Sequence, residues 1–97
     1  MPIYGLVRQH LRGVRETATR AAMLGSVDVS AEVARLTIAA VVQAREFPPS
    51  EARKFLAELR EQIVAYGMVQ QDADSTESAI FRELGERLAE AATRFEA

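Results

Sequence analysis

Apolar residues recur every three or four positions in three stretches of the chain. These positions are Tyr4, Val7, Leu11, Val14, Ala18 and Ala21; Ala52, Phe55, Leu56, Leu59, Ile63 and Tyr66; and Phe81, Leu84, Leu88, Ala91 and Phe95. Residues at this spacing share one face of an α-helix, and such a face is stable in water only when another surface covers it. We therefore predict three amphipathic helices that pack on other helices.

A fourth stretch, residues 33–47, is apolar almost all the way round. The polar positions of the predicted helix, Glu32, Arg35, Gln43 and Glu46, would cluster on one narrow side. A helix that is apolar on most sides is normally surrounded by protein. We therefore predict that this second helix is the central and most buried one.

Local start and stop signals divide the chain into four helices. The predicted ranges are 2–24, 31–46, 49 or 51 to about 65, and 75–95. Gly25 is suited to end the first helix, and Asp28 or Ser30 to cap the second. Pro48 forces the second helix to stop near Phe47. Gly67 is a candidate end for the third, with continuation through Met68 and Val69 as the alternative. Residues 74–77 form an acidic capping box for the fourth.

The length of 97 residues fits one domain with a modest core. Much of the 48% hydrophobic content is alanine, which favours helix but adds little burial energy. We predict an all-α, small four-helix bundle, one domain over residues 1–97, with a long first helix. Its stability as a monomer is expected to be marginal, so a dimer is an open alternative.

The composition excludes several classes of protein. The chain has no cysteine, which rules out disulfide scaffolds, zinc ribbons and thiol catalysis. The first 24 residues carry four arginines and do not resemble a signal peptide, and the low-charge run 36–44 is too short to cross a bilayer. We expect a cytoplasmic protein. The excess of arginine over lysine and the alanine content indicate a GC-rich genome, bacterial or phage.

Residues that carry chemistry are few. His10 is the only histidine, and no serine lies in a nucleophile motif. The acids do not show metal-ligand spacing, and the five glycines form no phosphate-binding loop. We therefore predict no catalytic residues, no metal and no cofactor, and expect a protein that is not an enzyme.

The arginines of the first helix are its most distinctive local feature. They are Arg8, Arg12, Arg15 and Arg20. One interpretation is a solvated face with ion pairs to Glu16, which lies four positions from two of them. A second is a strip that faces an anion, either a phosphate backbone or an acidic protein. A third is pairing with the acidic fourth helix. These arginines are the candidate anion- or partner-binding residues.

Some apolar residues lie off the stripes or near helix ends. They are Ile3, Leu6, Met68 and Phe95. Core or terminal packing is one interpretation. An exposed patch that binds another molecule is the other, and these four are the candidate hydrophobic interface residues.

Residues 47–59, Phe-Pro-Pro-Ser-Glu-Ala-Arg-Lys-Phe-Leu-Ala-Glu-Leu, resemble a helix start found in helical small subunits of CRISPR effector complexes. In that pattern a turn and a serine precede an Arg-x-Phe-Leu helix. The resemblance is confined to this segment and has the form of any capped amphipathic helix. It implies no functional residue, and the chain is assigned to no family from it.

These patterns favour a non-catalytic helical module for protein–protein interaction, such as an adaptor, an inhibitor or a small regulatory subunit. The expected partner is a protein, with a second copy of the chain as one form of it, and no membrane partner is expected. One alternative is a nucleic-acid-associated subunit that uses the arginines of the first helix. Another is a small helical enzyme with an arginine-lined pocket for an anionic substrate, in which Arg35 is the residue of interest.

Overall fold

The computed structural model describes residues 3–25, 28–69 and 76–95, without the side chains of Met68 and Val69. Within these ranges the chain forms four helices and no strand. They are α1 (Ile3–Leu24), α2 (Val29–Ala44), α3 (Pro49–Val69) and α4 (Thr76–Ala92), followed by a 3-10 turn at Thr93–Phe95. The prediction of an all-α fold with four packed helices is confirmed.

The helix ends within the described residues are explained by the glycine, the capping residue and the proline found there. Gly25 ends α1 with a φ of 72°, and its N–H donates to the Ala21 carbonyl at 3.2 Å. Asp28 caps α2, because its carboxylate accepts from the Ala31 N–H at 3.2 Å. Pro49 is the first residue of α3, where its missing N–H leaves no helical bond unmade. Pro2 and the first part of the predicted capping box at 74–77 lie outside the described residues.

The centre of the bundle is the pair α3 and α4, which share the most extensive contact and each touch both other helices. The two run antiparallel. Arg53, near the start of α3, donates to the Phe95 carbonyl beyond the end of α4 at 2.9 Å. At the other end, Gly67 of α3 lies against the side chain of Phe81 of α4. By contrast, α1 and α2 barely meet.

The core consists of the inner faces of these helices. Its largest fully buried side chains are Phe55, Phe81, Leu56, Leu59, Ile63, Ile80, Leu84, Leu88 and Val33. All but Val33 belong to α3 and α4. Since full burial of such a side chain stabilises a fold by roughly 1.5–3 kcal/mol, these two helices supply most of the stabilisation. The second and third predicted stripes are therefore confirmed.

The prediction that the second helix is central was wrong. Only one side of α2 is buried, through Val33, Leu36, Ala40 and Ala44. On its outer side Ile38 is 63% exposed and Val42 is 55% exposed. The large side chains of α3 and α4 occupy the centre, and four helices provide no further layer to cover the outside of α2.

One further expectation was wrong. Tyr4 is 68% exposed, so the buried stripe of α1 begins at Val7. Of the two ends left open for the third helix, the structure shows the longer one, because α3 continues through Gly67 to Val69. A hydrogen at this position lets α3 approach α4 closely, because an added Cβ would lie 3.2 Å from the Cβ of Phe81. In the part of the chain that is described, no helix is long and apolar enough to span a bilayer.

Candidate functional site on the second helix

The outer side of α2 carries a continuous apolar stripe, which we call the α2 face: Ala31, Ala34, Ile38 and Val42. These residues are all exposed, and their spacing of three, four and four places them along one line of the helix. α2 is also the most apolar of the four helices. The most apolar helix therefore presents its outer side to solvent.

A groove of about 360 Å³ continues the α2 face toward α4. Val41 and Ala91 supply apolar lining, and the charged side chains at its border are Arg45, Arg87, Glu90 and Arg94. Because α3 starts directly after α2 and the end of α4 is bonded to that start, α2 and α4 end on the same side of the molecule. Arg45 and Arg94 lie at this end beside the acids Glu46 and Glu90, whereas Asp28 lies at the other end of α2.

On its other side, α2 diverges from α1 and leaves a cleft of about 400 Å³. The floor is apolar and is formed by Leu36 of α2, Leu59 of α3, and Leu84 and Leu88 of α4. Gly13 forms part of the α1 wall, where nothing lies within 4 Å of the position that a Cβ would occupy. The walls of the cleft are open to solvent, whereas Leu59, Leu84 and Leu88 at its base are 0–1% exposed.

Arg35 and Thr17 connect the walls of this cleft. The Nη2 atom of Arg35 donates to the Thr17 hydroxyl at 3.2 Å and to the Glu32 carboxylate at 2.7 Å. Arg20 also borders the cleft, so two guanidinium groups lie at it. Arg35, the residue of interest for an arginine-lined anion pocket, is therefore both paired with an acid on its own helix and open to a cavity.

His10 lies at the same cleft and is half-buried. Its ring meets the Phe55 ring edge-on, with the centroids 5.4 Å apart. This contact is a packing interaction with the core. Within the described ranges, no three histidine, aspartate or glutamate residues form a group that could hold a metal ion.

The four arginines of α1 are all exposed, and three of them, Arg12, Arg15 and Arg20, line one open surface pocket of about 560 Å³ together with Tyr66. The guanidinium of Arg15 lies over the Tyr66 ring, 4.7 Å from its centroid, in a cation–π contact. Arg20 also borders the cleft toward α2, and Arg8 lines neither cavity. Glu16 makes no ion pair with Arg12 or Arg20, and the only ion pair among the described residues is Glu32–Arg35.

Three of the four hydrophobic interface candidates are placed by the structure. Ile3, Leu6 and Phe95 are half-buried and pack against the core. The side chain of Met68 lies outside what the structure describes. The apolar surface that sequence reasoning missed is on α2, at Ile38 and Val42. The sequence does contain a signal for this surface, because residues 33–47 are apolar on more than one side. That pattern was interpreted as burial.

In comparisons with protein-family models, with curated proteins and with solved structures, the chain matches none of them.

Proposed function

We propose that this protein is a non-catalytic helical assembly module that pairs with a second copy of itself through the α2 face. The observation that carries the proposal is the exposure of Ile38 and Val42 on the most apolar helix. Contiguous apolar patches are uncommon on soluble monomers and are typical of interaction sites. The surfaces of the dimer outside this interface would remain free to bind another protein, as those of an adaptor, an inhibitor or a small subunit do.

The arrangement of side-chain sizes on the α2 face supports a second copy as the partner. When two α2 helices cross antiparallel with Ile38 at the twofold axis, Val42 of one copy lies opposite Ala34 of the other. A large side chain then meets a small one on both sides of the axis. Such matching lets two helices approach to roughly 8–10 Å and makes a self-complementary interface.

The charges at the two ends of α2 support the same orientation. In an antiparallel pair, Arg45 of one copy lies near the end of the other helix that carries Asp28. In a parallel pair, Arg45 would face Arg45, and like charges at close range are destabilising. Charge complementarity thus favours the antiparallel pair.

The proposal is tested by light scattering coupled to size-exclusion chromatography over a range of protein concentrations. We expect a dimer whose population increases with concentration, and a monomer for Ile38→Lys at the same concentrations. Met23→Lys is the matched control, because Met23 is 82% exposed and lies off the α2 face. A strictly monomeric wild-type protein, or an Ile38→Lys variant that dimerises normally, would overturn the proposal.

The orientation can be tested with single cysteines, since the chain has none of its own. Ile38→Cys should form a disulfide between copies, because the two positions meet at the twofold axis and a disulfide needs Cα atoms within about 7 Å. Arg45→Cys should not, because in the antiparallel pair the two positions lie about 21 Å apart along the helices. Equal crosslinking at both positions would contradict the antiparallel arrangement.

Nucleic-acid association through α1 is a second candidate. It is favoured by the exposure of Arg8 and Arg12 without ion pairs among the described residues, and by the guanidinium–aromatic pair of Arg15 and Tyr66. The net charge of -2 weighs against it. Binding of a labelled DNA or RNA duplex should fall steeply with added salt if this candidate is right. A flat response, or no binding at low salt, would remove it.

A further inference from the structure

We propose that the cleft between α1 and α2 binds a small amphipathic monoanion, an apolar body that carries one carboxylate. The cleft lies on a different side of α2 from the α2 face, so this inference is independent of the assembly proposal. Its volume of about 400 Å³ is within the range of small-molecule sites, roughly 300–1,000 Å³.

The floor of the cleft fits the apolar body of such a ligand. Leu59, Leu84 and Leu88 are almost fully buried, and their edges line the bottom of the cavity. The missing side chain at Gly13 leaves room above them against the wall of α1. An alkyl chain that lies over this base, against Leu36 and Ala39, would be partly removed from water, which is the driving force for binding.

The polar end fits a single carboxylate. Arg35 is held in place by Glu32 and Thr17 through one nitrogen, and its other N–H groups remain available to a ligand. Arg20 has no ion pair among the described residues and lies at the same cleft. The carboxylates of Glu16 and Glu32 also lie at the cavity, so a chain of phosphates would meet stronger repulsion than a single carboxylate would.

The probe for this inference is decanoate below its micelle concentration, titrated into ¹⁵N-labelled protein and followed by amide chemical shifts. We expect saturable shifts at residues of the cleft walls, such as Gly13, Thr17 and Ala39. Decanol, which has the same chain without the charge, should bind at least tenfold more weakly. Equal binding of decanol would overturn the assignment of an anionic ligand.

Variants at Gly13 test the location of the site. Gly13→Leu should abolish binding, because the new side chain occupies the cleft, and it should leave the helical fold intact because leucine favours helix. Gly13→Ala is the matched control, which changes the helix in the same direction but leaves most of the space, and it should still bind. Retained binding in Gly13→Leu would overturn the site.

Arg20→Gln tests the charge without altering the cavity. Loss of one charge-assisted hydrogen bond should weaken decanoate binding by about tenfold. The binding of decanol should not change. An unchanged decanoate affinity would show that Arg20 does not hold the carboxylate and would contradict the proposed orientation of the ligand.

Discussion

Two helical glycines in this bundle have opposite surroundings. Gly13 faces the open cleft, with nothing within 4 Å of an added Cβ. Gly67 faces α4, where an added Cβ would meet the Cβ of Phe81 at 3.2 Å. The sequence alone does not show which of the two glycines has a neighbour. The distinction depends on where a distant helix passes.

Alanine substitutions at these glycines should therefore change stability in opposite directions. Gly13→Ala should stabilise the fold by up to about 1 kcal/mol, because alanine is the better helix former and meets no neighbour. Gly67→Ala should destabilise it by about 1–3 kcal/mol, because the Phe81 Cβ is fixed to the backbone of α4 and the helices must separate slightly. Urea unfolding measures both. A stabilising Gly67→Ala would mean that the contact between α3 and α4 is loose.

Phe55 and Phe95 both belong to predicted apolar stripes, yet they differ in burial. Phe55 is fully buried and contacts the rings of His10 and Phe47, whereas Phe95 is half-buried in the 3-10 turn that follows α4. Phe55→Ala should reduce the free energy of unfolding by about 3–5 kcal/mol, and Phe95→Ala by clearly less. Thermal unfolding of both variants checks this order. Equal losses would contradict the central place of Phe55.

At the scale of single elements, the start of α2 shows how a local signal is resolved by geometry. The sequence offered Asp28 and Ser30 as caps. In the structure the Asp28 carboxylate accepts the Ala31 N–H, while Ser30 lies within the first turn of α2. Only one of two suitable residues thus has the backbone position that a cap requires.

Asp28→Ala should lower stability by about 1 kcal/mol, because the Ala31 N–H loses its acceptor and the helix start loses a favourable negative charge. Ser30→Ala is the matched control and should be neutral or slightly stabilising, since alanine favours the helix interior. Chemical denaturation of both variants gives the comparison. A larger loss in Ser30→Ala would assign the cap to that residue.

At the scale of the whole molecule, the proposed dimer forms only from folded chains. It would therefore make thermal stability depend on protein concentration. If folded chains pair through the α2 face, the melting temperature should rise with protein concentration, because pairing removes folded monomer from the unfolding equilibrium. Ile38→Lys should abolish this dependence without lowering the melting temperature at high dilution. Calorimetry over a hundredfold range of concentration checks it. A constant melting temperature in the wild-type protein would count against pairing.

The sequence by itself determined the helices and the inner faces of three of them. Periodicity, Gly25, Asp28 and the Pro48–Pro49 break act within one or two turns, so they can be read without knowledge of the fold. The predicted buried stripes of α3 and α4 were correct because each of these two helices has a single apolar side. On such a helix, the residues that must leave water identify the buried face.

Only the tertiary structure decided which helix is central, which side of α2 is left uncovered, and where the cleft opens. α2 has apolar residues on both its inner and outer sides, and a local pattern does not distinguish Leu36, which is buried, from Ile38, which is exposed. Which side of α2 is buried depends on how the bulky side chains of α3 and α4 fill the space between helices that are far apart in the sequence. Packing of this kind depends on shape in three dimensions, and no short window of sequence contains it.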